Sequence, residues 1–314
     1  MKPLTVRHTT AYHYARPVGF GPHRLMLRPR DSHDLRVVHT ELALSPPAEL
    51  RWIHDVFGNS VAIANFCGAA SELRIESTLH LERYALDRPA FELDPEAATY
   101  PFVYSSEDRT DLGRQLERHS LDPNGAIDEW AKRFVTARPI DTLELLASMN
   151  RAFKAEFAYN PREEVGTQLP AETLERGSGT CRDYAYLMIE AARSLGFGAR
   201  FVTGYLYDPG LDSNGDPSTV GAGATHAWCE IYLPGAGWVE YDPTNALIGS
   251  EALIRVAVTR DPTQASPVSG SYVGEPEDFL GMEVVVTVTS GEASDDAAAA
   301  ESFTNLAARQ VSAA

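Results

Sequence analysis

The chain has 314 residues, 44% of them hydrophobic and 23% charged, which is room for two modest domains at roughly 100–200 residues each and an ordinary globular composition. The formal net charge of −17 argues against a nucleic-acid partner or an anionic membrane surface, because phosphate attracts basic faces. No stretch approaches the roughly 20 apolar residues of a membrane helix. Met1–Val18 is polar, with Arg7, His8 and His13, and lacks the apolar centre of a secretory signal, so the expected compartment is cytoplasmic. Cys67, Cys181 and Cys229 cannot all pair within the chain and form no disulfide framework.

Residues 4 to 93 read as short strands. Leu4–Tyr14, Leu35–Leu44, Ser60–Phe66 and Leu73–Tyr84 are rich in Val, Thr, Ile and aromatics, with Pro17, Gly21, Pro46–Pro47, Gly58–Asn59 and Gly68 as punctuation. Leu73, Ile75, Ser77, Leu79 and Leu81 alternate with Arg74, Glu76, Thr78, His80 and Glu82, one buried face of a β-sandwich. After Pro101 the texture changes. Thr110–His119 and Ala126–Thr136 look helical, and Thr142–Phe157 follows Asp141 as a cap. A helix opening at Cys181 is followed by strands at Arg200–Tyr207, Ala227–Leu233, Trp238–Tyr241, Ala252–Thr259 and Met282–Thr289. The expected class is α+β: a β-rich domain over 1–100, a helical lead-in and mixed core with closing strands over 101–290, and a low-complexity tail over 291–314. A weak terminal helix at Ser302–Val311 is the most that tail supports.

Gly177-Ser178-Gly179-Thr180-Cys181-Arg182-Asp183-Tyr184 is a glycine-rich turn feeding a helix. Thr180 and Asp183 have capping-box spacing, which sets the helix start at or next to Cys181. Ala185, Met188, Ala192 and Leu195 share its face, and Leu187, Ile189 and Ala191 make most of the remaining circumference apolar, so the helix should be largely buried. A sulfur at a helix N-terminus feels the positive end of the macrodipole, which favours thiolate. The free amide hydrogens there can also receive the oxygen of a tetrahedral intermediate. The competing structural reading is a small buried cysteine. A phosphate loop does not fit, since no Lys-[Ser/Thr] follows.

Thr225–Leu233, Pro234–Gly237 and Trp238–Thr244 read as strand, turn and returning strand. His226 shares a face with Trp228, Glu230 and Tyr232, while Cys229 points into the core. Asp242 can meet the His226 ring only if both lie on one sheet face. An odd-length connection pairing Tyr232 with Trp238 places Asp242 opposite Trp228 and diagonal to His226, about 7–8 Å apart. The even loop would separate them, so the odd one is expected.

These residues resemble the transglutaminase-like superfamily, in its bacterial branch of cysteine-protease-like proteins. The resemblance rests on Gly179–Ala185, Arg193–Tyr205, His226-Ala227-Trp228 and Gly237–Asn245, in the family's order. Tyr12-His13-Tyr14, Leu25–Arg30 and Asp55–Asn59 look like the N-terminal domain that accompanies this core in bacteria. The resemblance implies a papain-like arrangement, with a cysteine-bearing helix packed on an antiparallel sheet. It implies Cys181 as nucleophile, His226 as general base and acid, and Asp242 as orienter. Tyr159 is a candidate second oxyanion donor, against the competing reading of a core tyrosine. The implied reaction is thioester-forming acyl transfer on a peptide or protein amide. The first choice is a cysteine peptidase or amidase; alternatives are a protein-glutamine transglutaminase and a non-catalytic scaffold.

No cofactor is called for, and no His or Cys pair has zinc-ligand spacing. Asp208–Asp216 offers oxygen ligands, but its glycine is misplaced for an EF-hand and Gly223 stands where the final Glu belongs. A solvated lid over the cleft is the expectation there, since long loops beside active sites often gate substrates. Trp228 and Trp238 are read as hairpin packing.

Overall fold

The computed structural model describes residues 1–84, 91–161, 166–212 and 217–291. The tail beyond Gly291, with the expected helix at Ser302–Val311, and Ser213–Asp216 of the acidic loop lie outside the described residues. Alternation in the first segment produces strands Lys2–Phe20, Leu35–Ser45 and Ala69–Arg83, which pair antiparallel with the first and second flanking the third in the order Lys2–Phe20, Ala69–Arg83, Leu35–Ser45. Leu73, Ile75, Ser77, Leu79 and Leu81 are the buried face, as their period requires. A second antiparallel sheet contains His23–Arg28, Ser60–Phe66 and Ala48–His54. Leu25, Leu27, Ala62 and Ala64 from this sheet meet Tyr14, Val18, Leu73 and Ile75 from the first, closing a sandwich. Ala48–His54 escaped the sequence reading because it is an edge strand without a fully buried residue.

Residues 268–290, counted with the core in the sequence reading, hydrogen-bond with the N-terminal sheets. Val268–Ser269 pairs with His23–Arg28, and Tyr272–Val273 and Phe279–Ser290 pair with Lys2–Phe20. Periodicity reveals that a segment is a strand; it carries no information about which strand lies beside it.

Thr142–Glu156 is a helix whose N-cap, Asp141, accepts the Glu144 amide at 2.8 Å. Ser106–Leu112 starts and ends earlier than the expected Thr110–His119, with a 3-10 turn at Gly113–Leu116 following it, and Ala126–Lys132 is shorter than its pattern suggests. The helix Cys181–Ser194 is buried without interruption from Asp183 to Arg193. It packs on a five-stranded antiparallel sheet in the order Leu247–Ile248, Gly237–Asp242, Thr225–Leu233, Ala199–Leu206, Leu253–Thr259. Two charged residues on the helix are buried because they pair. Arg193 donates to Glu190 at 2.8 Å and to the carbonyls of Ala199, Arg260 and Gln115, and Glu190 also accepts the amides of His119 and Ser120. These bonds fasten the helical lead-in to the core, and the architecture is α+β.

Leu4, Val6, Leu79, Leu81, Val286 and Val288 pack against Tyr205, Tyr207, Ile254 and Val256 of the core sheet. Asn59 completes the junction, donating to the Val258 carbonyl at 2.6 Å and accepting its amide at 2.9 Å.

Candidate active site

The helix start is set by a short chain of polar contacts. Asp183 Oδ2 accepts the Thr180 amide at 2.8 Å and the Thr180 hydroxyl at 2.9 Å, and Oδ1 accepts the Gln168 amide at 2.6 Å. Gly179 is needed beside it, since a Cβ there would fall 2.9 Å from Asp183 Cβ. Cys181 is therefore the first helical residue, only 7% exposed, at the terminus where the first backbone amides of a helix have no partner within it.

The hairpin takes the odd register. Tyr232 faces Trp238 and Leu233 faces Gly237 across a three-residue loop, Pro234–Ala236, with Gly235 at φ 88°. His226 and Asp242 consequently share a face, and His226 Nε2 donates to Asp242 Oδ2 at 2.9 Å. Asp242 is fully buried and accepts three further bonds: Thr244 N–H at 3.0 Å, Asn245 N–H at 3.4 Å and Asn245 Nδ2 at 2.9 Å. His226 Nδ1 has no nitrogen or oxygen partner. The Trp228 ring stacks on the imidazole with centroids 6.0 Å apart. Gly204, opposite His226 on the neighbouring strand, leaves room for that ring: a Cβ would lie 2.8 Å from it and 2.1 Å from the Ile254 carbonyl.

Tyr159 reaches the site through a two-residue parallel bridge, Ala158–Tyr159 against Ser178–Gly179. Tyr184 pins that bridge by donating its hydroxyl to the Ala158 carbonyl at 2.6 Å. Tyr159 is 37% exposed, which fits the rim of a cleft better than a core position.

Residues 4–82 match the bacterial transglutaminase-like N-terminal region, and residues 128–243 match the transglutaminase-like superfamily. The core belongs to the transglutaminase-like superfamily. An uncharacterised protein of Mycobacterium leprae is 26% identical over 290 residues, covering 91% of this chain and 98% of that protein. An uncharacterised protein of Mycobacterium tuberculosis is 27% identical over 302 residues, covering 92% and 93%. Among solved structures, a candidate cysteine protease from Cytophaga hutchinsonii shares the fold, with a TM-score of 0.68, 18% identity and coverage of 94% of this chain and 92% of that one.

Within this transglutaminase-like core, the electrostatics of the cluster follow from its contacts. Burial pushes the Cys181 thiol pKa up, but the hydrogen bond and charge of His226, the Ala227 backbone N–H and the Arg182 charge outweigh it, and the pKa falls below the ordinary value. Burial pushes the His226 imidazole down, but the charge and hydrogen bond of Asp242, with Cys181 adding to them, lift it to about 10. Since Asp242 takes Nε2, the nitrogen left for the thiol is Nδ1. The Tyr159 hydroxyl is pushed up by burial and by the adjoining Cys181 sulfur, and it also meets the Cys181 backbone N–H.

Cys229 lies elsewhere. It is buried on the helix side of the sheet, its sulfur 3.4 Å from the Tyr241 carbonyl, and burial raises its pKa well above the ordinary thiol value. Trp238 packs in the hairpin between Tyr232 and the Arg200 guanidinium, 4.0 Å above its ring. Asp208 and Asp212 are taken up by protein donors. Asp208 accepts from Gly210, Ser218 and Thr219, and Asp212 from Tyr207 and Ser290.

Sequence reasoning missed two contributors. Asn245 was visible only as part of a motif, without a role. Gly221 was passed over entirely, although a Cβ there would fall 2.6 Å from His226 Nδ1. Its four-residue neighbourhood carries no periodicity that could have pointed to the contact.

Proposed function

We propose that this chain is a thiol-dependent acyl-transfer enzyme acting on peptide or protein amides through a thioester on Cys181, with hydrolysis as its outcome. His226 Nδ1 takes the thiol proton, and the resulting thiolate attacks the amide carbonyl. The oxyanion is received by the Cys181 backbone N–H and the Tyr159 hydroxyl. The imidazolium then protonates the leaving amine as the C–N bond breaks. In the second half, His226 takes a proton from water, hydroxide attacks the thioester, and the sulfur leaves as thiolate. Asp242 holds the imidazole in the tautomer that presents Nδ1 and stabilises its charged form.

The observation that carries this reading is the opposed shift of two touching groups: a thiol held low beside an imidazole raised to about 10. The two shifts favour the same charge-separated pair, thiolate–imidazolium, an activated nucleophile with its proton donor attached. A buried structural cysteine has no such partner, as Cys229 illustrates with its shift in the opposite direction.

Alkylation by iodoacetamide across pH tests it. Cys181 should react with a midpoint well below the ordinary thiol value of about 8.5, and His226→Ala should return the midpoint towards that value. An ordinary midpoint in the unaltered protein would sink the proposal. Glutamyl substrates then separate outcomes: acid product without amine incorporation supports hydrolysis, whereas a stable isopeptide product assigns transglutaminase chemistry.

A further inference from the structure

The turn Ser218–Gly223 crosses the imidazole, and its three attachments differ in kind. Upstream it is tied to Asp208, which accepts the Thr219 amide at 2.8 Å, the Thr219 hydroxyl at 2.7 Å and the Ser218 hydroxyl at 3.0 Å. Downstream the Gly223 carbonyl accepts the Val286 amide of the closing strand at 3.4 Å. At its tip, Asn245 clasps the backbone of Val220 from both sides, accepting its N–H at 2.9 Å and donating Nδ2 to its carbonyl at 3.0 Å. The same Nδ2 group donates to Asp242 Oδ2 at 2.9 Å. One side-chain amide therefore joins the carboxylate behind the imidazole to the turn in front of it.

The next residue makes that connection matter. Gly221 has φ 91° and so little clearance that a Cβ would sit 2.6 Å from Nδ1. While Val220 is clasped, Gly221 lies against the nitrogen that faces the sulfur. The two Val220 bonds are solvent-exposed, whereas His226 and Asp242 are buried. Water competes for the exposed bonds, so the clasp is the part of the surround that opens at least cost. Asn245 itself is held in place, because Ala246 adopts a left-handed conformation at φ 57° and Leu247 pairs back onto Asp242.

We infer that Asn245 is a positioning residue that orients Asp242 and latches the Ser218–Gly223 turn over His226, so that access to Cys181 is gated by two exposed hydrogen bonds. The consequence for turnover rests on the acyl-transfer reading above; the latch does not.

The test compares alkylation of Cys181 by iodoacetamide and by a bulky fluorescein maleimide in the full-length protein and in Asn245→Ala. Both are run above the ordinary thiol range, where any accessible thiol is ionised whether or not His226 activates it. The substitution should raise the bulky-to-small rate ratio at Cys181 about tenfold, the loss expected for the two bonds together. Exposed Cys67 and buried Cys229 serve as references and should not change. Amide exchange supplies the second readout: Val220 should lose protection while Thr219, held by Asp208, keeps it. An unchanged ratio with Val220 still protected would overturn the latch. So would a parallel gain at Cys229, which would mark general loosening. An ordinary Cys181 midpoint in the pH experiment, with the ratio still rising in Asn245→Ala, would sink the acyl-transfer reading and leave the latch standing.

Discussion

His226 meets a carboxylate through Nε2, and its imidazole and the Cys181 thiol are shifted in opposite directions by their contacts. Asp242 acts through charge as well as geometry, since its charge and its hydrogen bond are the main influences lifting the imidazole to about 10 against burial. Asp242→Asn keeps an acceptor of similar shape but removes the charge. The imidazolium pKa should then fall, and because the raised value marks where the proton donor is lost as pH increases, the alkaline limb of kcat/KM should move to lower pH. Turnover should drop about 10²–10⁴-fold, by analogy with removal of the carboxylate from a hydrolytic triad. A limb that stays near its original position would show that Asp242 does not govern the imidazole. Tyr159 belongs to the same scale: its hydroxyl meets both the sulfur and the Cys181 N–H, a combination its half-exposed position permits and a core position would not.

Among the elements, the cysteine helix depends most on a single side chain. Asp183 is completely buried and satisfies Gln168 and Thr180 at the turn that presents Cys181. Asp183→Ala strands one buried and one partly buried amide and removes a cap, which should cost about 3 kcal/mol, read as a fall in the urea midpoint at unchanged slope. Much at this level was legible in the sequence. The capping-box spacing located the helix start, and the requirement that His226 and Asp242 share a face selected the odd hairpin loop that Tyr232 and Trp238 adopt. Glu190 and Arg193 were not legible as anchors. Charged residues on a helix ordinarily face water, and their burial here is made tolerable by their own pairing together with partners in the core and in the lead-in segment, which arrives from some 70 residues away in sequence.

At the level of the whole molecule, the closing strand Phe279–Ser290 is one of the two long neighbours of Lys2–Phe20, and Val286 and Val288 help cover the junction with the core sheet. The two halves are therefore stapled by the chain's own return. Truncation after Ser266 removes that strand and bares the edge of a 19-residue strand together with part of the junction, an invitation to aggregation. Loss of folded monomer on size-exclusion chromatography is the expected result. A chain ending at Gly291 keeps every pairing described and should unfold in one transition with the full-length midpoint.

What the sequence determined by itself was whatever depends on near neighbours: the alternation of strands, the cap that starts the Cys181 helix, the parity of a short hairpin, and the residue types that can share a proton. Tertiary structure alone decided which strand receives Phe279–Ser290, how the Ala158–Tyr159 bridge brings a phenol to the sulfur, and that Asn245 reaches Val220 across 25 positions to hold a turn over His226. The physical reason is one of range. A cap or a loop parity is settled by the stereochemistry of a few consecutive residues, while partners distant in sequence are chosen by which faces the folded chain can bury together.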